Sequence, residues 1–118
     1  MFRGRVSYSM HAAVELMTAI ALIVAPFALG LSLDATIAAA GIGFMLLGLA
    51  LSATDTDGRG TLPISAHATY DAAIALVLLA MAVIFGLAGE PLALAVLLVA
   101  GVAQLVLNGF TRYSPSHA

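Results

Sequence analysis

The chain has 118 residues, of which 63% are hydrophobic and 8% charged, with a formal net charge of −2 and a mean hydropathy of +1.13. A soluble domain of this length carries about a quarter charged residues, so the polar surface is too small to cover a water-soluble globule, and lipid is the expected solvent. The four basic residues form no patch, which argues against nucleic acid as a partner, and the absence of cysteine excludes disulfides, thiolate metal ligands and thiol catalysis.

Charges divide the sequence into four apolar runs. The first, 16–33, is free of charge and follows Arg3, Arg5 and Glu15. It exceeds the roughly 7–15 residues of a signal-peptide apolar region, so the expectation is an uncleaved helix that starts near Met10. Asp34 ends this run and is placed to cap the second, 35–54. A longer connection rich in Asp, Gly and Thr leads to Ser65 and reads as an exposed loop. Its Asp55-Thr56-Asp57-Gly58-Arg59-Gly60 segment resembles the opening of an EF-hand, but Arg59 and Ala66 stand where ligands are needed, so a solvated turn is expected. The third helix is expected from near Ala66 through the run 72–89. Gly89-Glu90-Pro91 then forms a tight turn with proline at the first helical position, before the run 91–111. About 20 apolar residues at about 1.5 Å each cross a bilayer core of about 30 Å, so all four runs qualify as spans.

Every arginine lies on one side of this arrangement. Arg3 and Arg5 precede the first span, Arg59 lies between the second and third, and Arg112 follows the fourth, whereas the short turns carry only Asp34 and Glu90. The excess of positive charge on cytoplasmic segments therefore predicts a multi-pass protein of the inner (cytoplasmic) membrane with both termini in the cytoplasm.

The two halves resemble each other at a constant offset. Ser9, His11, Glu15, Gly30 and Asp34 fall on Ser65, His67, Asp71, Gly86 and Glu90. Matches among charged residues and histidines are informative because such residues are rare here. The chain is accordingly read as one domain, 1–118, with internal repeats at 9–53 and 65–109. The expected fold is all-α and integral to the membrane: four transmembrane helices in two tandem hairpins, related by a pseudo-two-fold axis along the membrane normal. Ala39 and Gly43, with Ala38, Ala40, Gly41 and Gly48, suit close helix packing, either within the chain or in a homodimer.

The first copy, with Ala25-Pro26-Phe27 followed by Leu29-Gly30 and an Ala/Gly-rich second helix, resembles the bacterial SPW-repeat membrane proteins. Their two-span unit carries a Ser-Pro-Trp motif near the end of its first helix. Here tryptophan is absent, and the second copy keeps only Gly86 of this pattern. The resemblance implies a small bacterial membrane protein of undefined activity and carries over no catalytic residues. Small multidrug resistance transporters are also similar in having four spans and a glutamate in the first helix, but their aromatic substrate cage has no counterpart in this first span.

The residues singled out for chemistry are His11, Glu15, His67 and Asp71. A spacing of four places each histidine and acid on one helical face, and a two-fold relation would bring the faces together near the cytoplasmic ends of the first and third helices. Two imidazoles and two carboxylates suit a divalent metal such as Zn²⁺, Fe²⁺ or Mn²⁺, the expected cofactor if one is held. The same set suits a proton- or cation-coupled pathway. The plainer reading is a structural polar cluster satisfied locally, with Gln104, Asn108 and Ser52 nearby, and Ser9 and Ser65 as helix caps. Tyr8, Tyr70 and Tyr113 read as interfacial anchors. No phosphate-binding, dinucleotide-binding or nucleophile motif is present, so the expectation is a membrane component without enzymatic activity, structural or concerned with assembly or stress. Its expected partners are the lipid bilayer and a second copy or another membrane protein. A metal- or cation-binding protein or small transporter is the alternative.

Overall fold

In a computed structural model the described residues are 6–52 and 63–111. They form four helices in order: α1 (Tyr8–Ala28), α2 (Leu33–Ser52), α3 (Ile64–Leu87) and α4 (Pro91–Phe110). All four are long and apolar enough to cross a membrane, which fits a multi-pass membrane protein. The loop segment Asp55 to Gly60, the four arginines, Tyr113 and His117 lie outside the described residues.

Local chemistry explains the helix ends, with some changes from expectation. The cap of α1 is Ser7, earlier than Ser9, and its hydroxyl accepts from Met10 N–H at 3.2 Å. At α2 the cap is Ser32, whose Oγ accepts from Ala35 N–H at 3.1 Å, and Asp34 falls inside the first turn. A hydroxyl on a short stem reaches back to a free N–H, and Asp34 still faces the positive end of the helix. Ser65 also lies within its helix, behind Pro63 at the N-cap. Glu90 and Pro91 open α4 as the sequence suggests.

Both hairpins turn in the same way. Leu31 N–H donates to Pro26 C=O at 2.9 Å around Gly30 (φ +64°), and Glu90 N–H donates to Phe85 C=O at 2.9 Å around Gly89 (φ +80°). A glycine in the left-handed region with this six-to-one bond closes the free carbonyls of a helix end.

Within each hairpin the helices approach closely. A Cβ at Gly43 would stand 2.8 Å from Ile23 Cγ1 and 3.0 Å from the Ala19 carbonyl oxygen; at Gly101 it would stand 2.8 Å from Leu79 Cδ2 and 3.2 Å from Leu78 Cβ. Ala39 is fully buried. Ala39 and Gly43 thus face into the chain, and Gly43 packs against α1.

Burial recurs between the halves, but in two registers. His11, Glu15, Ala19, Leu22 and Pro26 of α1 are buried, and so are His67, Asp71, Ala75, Leu78 and Ala82 of α3, at the offset read from the sequence. Ala35, Ala39, Ile42, Gly43 and Leu46 of α2 are matched by Ala93, Leu97, Ala100, Gly101 and Gln104 of α4, at an offset longer by two. The second hairpin therefore carries two more positions around its turn. Ala95, which the sequence register pairs with Ala39, is exposed. Between the hairpins contact is sparser. Apolar grooves of about 520 and 440 Å³ run between α2 and α3 and between α1 and α4.

Candidate functional site

The sparse join between hairpins is polar at one end. His11 and Glu15, one turn apart on α1, face His67 and Asp71, one turn apart on α3, and all four are fully buried. The contacts run crosswise between helices. His11 Nε2 lies 2.7 Å from Asp71 Oδ2, and His67 Nε2 lies 2.9 Å from Glu15 Oε1. Pairs within each helix complete the ring: His11 Nε2 to Glu15 Oε2 at 3.3 Å, and His67 Nε2 to Asp71 Oδ2 at 3.1 Å. One ligand atom from each of the four residues falls within 4.8 Å of the others. The structure thus brings together all four residues that the sequence nominates.

Two residues of the fourth helix and its cap complete the surroundings. Gln104 Nε2 donates to Glu15 Oε2 at 2.8 Å and so fixes that carboxylate. Thr111 Oγ1 donates to the Leu107 carbonyl and lies 2.7 Å from His11 Nδ1. The hydroxyl has one hydrogen, already committed to Leu107, so the network assigns Nδ1 of His11 as the donor to Oγ1. Gln104 is recognisable in the sequence as a nearby polar residue, whereas nothing in the spacing of Thr111 marks it. Its position depends on where α4 ends and on a backbone bond from Val6 N–H to Phe110 C=O at 2.9 Å, which ties the start of the first helix to the end of the last.

Tyr8, read from the sequence as an interfacial anchor, packs on both imidazoles. Its ring is stacked on His11 at 6.2 Å and meets His67 edge-on at 5.4 Å. The two imidazoles are themselves edge-to-face at 5.6 Å. Ser52 takes no part among the described contacts: its hydroxyl donates to the Leu49 carbonyl at 2.6 Å.

The electrostatics follow from this geometry. With Nδ1–H of His11 given to Thr111, its Nε2 faces two carboxylate oxygens. A bare lone pair and an anionic oxygen repel at hydrogen-bond distance, so a proton, on a ring or on a carboxyl, or a cation must lie between them. Two ionised carboxylates require two positive charges for neutrality, and a buried charge without compensation costs several kcal/mol. Chemically the arrangement can bind cations and join helices.

No protein-family model, curated protein or solved structure matches this chain.

Proposed function

We propose that this is a non-catalytic, structural or assembly component of the bacterial cytoplasmic membrane, in which a buried polar clasp joins two helical hairpins. The observation that carries this reading is the crossed pairing of His11 with Asp71 and His67 with Glu15, all four residues being inaccessible to solvent. A catalytic or transport site needs a path for its substrate. Among the described residues, the linings of the grooves of about 520 and 440 Å³ between hairpins include none of the four residues and are almost wholly apolar.

Membrane insertion is supported by the outward faces of all four helices, where Met17, Phe44, Leu87 and Val99 are each at least 60% exposed. Water would not tolerate such a surface, and lipid does. The arginine distribution supports cytoplasmic termini. Crossed pairing and burial that recurs between the halves support a pseudo-two-fold along the membrane normal, in keeping with the two-span unit of SPW-repeat proteins. The exposed apolar surface also leaves room for a homodimer or another membrane protein as partner.

Two measurements test this. Single cysteines replacing Ser32 or Glu90 should react with a membrane-impermeant maleimide in intact cells, and one replacing Ser114 should not; the reverse pattern rejects the orientation. Purified protein in proteoliposomes should pass protons and divalent cations no faster than empty vesicles, and a protein-dependent flux would replace the structural reading with a transport one.

A further inference from the structure

A clasp made only of hydrogen bonds would have little reason to aim four ligand atoms at one point. Yet both imidazoles present Nε2 to Asp71 Oδ2 and to the two oxygens of Glu15, one each, around a common centre. Four ligands at about 2.0 Å from a tetrahedral ion stand about 3.3 Å apart. The separations between neighbours are 2.7, 3.3, 2.9 and 3.1 Å, the middle two to different oxygens of Glu15, and one ligand atom from each residue falls within 4.8 Å of the others, so a modest rearrangement of the side chains fits an ion between them. The outer contacts also suit a metal centre. A histidine ligand ordinarily donates its other ring N–H to an oxygen, and ligating carboxylates are themselves hydrogen-bonded. Thr111 Oγ1 accepts the first kind of bond from His11, and Gln104 donates the second to Glu15.

We infer that the clasp is closed by one divalent first-row transition metal, Zn²⁺ fitting best, held by Nε2 of His11 and His67 and by one oxygen each of Glu15 and Asp71. This rests on the reading of the cluster as the join between hairpins. Two nitrogens and two carboxylate oxygens suit Zn²⁺, and also Fe²⁺ or Mn²⁺, whereas Ca²⁺ and Mg²⁺ require more oxygens or retained water. One dication balances two carboxylates beside two neutral imidazoles. Four protein ligands with no exposed surface describe a closed, structural site. The ion therefore enters as the hairpins come together and leaves slowly afterwards. Tyr8, packed on both rings, covers it.

The full-length protein, purified in detergent without chelator, should contain about one Zn²⁺ or comparable metal per chain by mass spectrometry. After stripping, added Zn²⁺ should raise its melting temperature, and Co²⁺ should give the visible absorption of a tetrahedral site with nitrogen and oxygen ligands. The near-isosteric Glu15→Gln, Asp71→Asn double variant should lose the metal. Thr111→Val, which leaves all four ligands in place, should bind Zn²⁺ about 10–100-fold more weakly, as loss of an outer-shell partner does. Tyr8→Ala should speed removal of the metal by chelator. Metal-free wild type that melts cooperatively and ignores Zn²⁺ overturns the inference while leaving the clasp intact. Metal retained by the double variant, or lost on His117→Ala, also overturns it. An Asp71→Ala variant as stable as wild type rejects the clasp itself.

Discussion

Asp71→Ala is the perturbation that weighs most directly on the join between hairpins. Asp71 Oδ2 stands 2.7 Å from His11 Nε2 and 3.1 Å from His67 Nε2. Truncation leaves His11 with Glu15 Oε2 at 3.3 Å and His67 with Glu15 Oε1 at 2.9 Å. Two bounds frame the cost. Interhelical hydrogen bonds between neutral groups in membranes average about 0.6 kcal/mol, because separated helices find other partners. Breaking a buried ion pair by removing one partner costs about 3–5 kcal/mol. The second bound governs here, since charge is involved and all four residues are fully buried in the folded state. It is moderated because His67 and Asp71 are the fourth and eighth residues of α3, near an end of the helix where separated hairpins would regain water. A loss of about 3 kcal/mol is expected, about two charge-assisted hydrogen bonds. Equilibrium unfolding in a denaturing detergent mixture, followed by circular dichroism, measures it. Asp34→Ala is the control: its residue is exposed at the opposite end, and a change within about 0.5 kcal/mol is expected. A loss below about 1 kcal/mol for Asp71→Ala, less than one charge-assisted hydrogen bond, would refute the clasp.

Gly43→Val and Gly101→Val should each destabilise the protein by about 1–3 kcal/mol through overpacking, because a first carbon already collides with the facing helix; Gly48→Ala, where a Cβ meets nothing within 4 Å, should be neutral or slightly stabilising by helix propensity. The same detergent unfolding assay reads all three. Gln104→Leu removes the bond to Glu15 Oε2 but also a buried carbonyl, Oε1, that has no partner among the described residues. The two effects oppose, and a net loss of about 1 kcal/mol is expected in unfolding, smaller than for Asp71→Ala.

Apolar runs between charges are long enough to specify four helices, because few residues here break them. The His–carboxylate residues are also legible, since rare polar residues at a spacing of four stand out against an apolar background. Less legible is what surrounds them. Thr111 touches His11 from the far end of the chain, and no periodicity marks a contact made by a helix cap. Tyr8 fits the interfacial role as well as the observed one, because its ring carries both an apolar face and a hydroxyl. The caps shift by one or two positions, as helix ends do when several hydroxyls compete for the same free N–H groups. The constant offset fails beyond the turn because α3 runs three positions past the counterpart of α1's end, while the connection that follows shortens by one.

That change of register bears on the site. Two positions added around the outer turn leave the buried faces at the opposite end in phase, because α1 and α3 are matched from their starts. The inner face of α4 is re-phased as a whole, so Gly101 faces Leu78 and Leu79 as Gly43 faces Leu22 and Ile23. At the next buried level the halves part: Gln104 stands at the position matched by Leu46 of α2. The four clasp residues thereby have unlike surroundings, with an amide bonded to Glu15 and an aliphatic side chain at the position of α2 that matches it. Leu46→Gln would make the two sides alike. Leu46 is fully buried in the apolar core, so an amide there that finds no partner should cost about 1–3 kcal/mol in detergent unfolding. A loss below about 1 kcal/mol would mean that the new amide is hydrogen-bonded, as Gln104 is to Glu15.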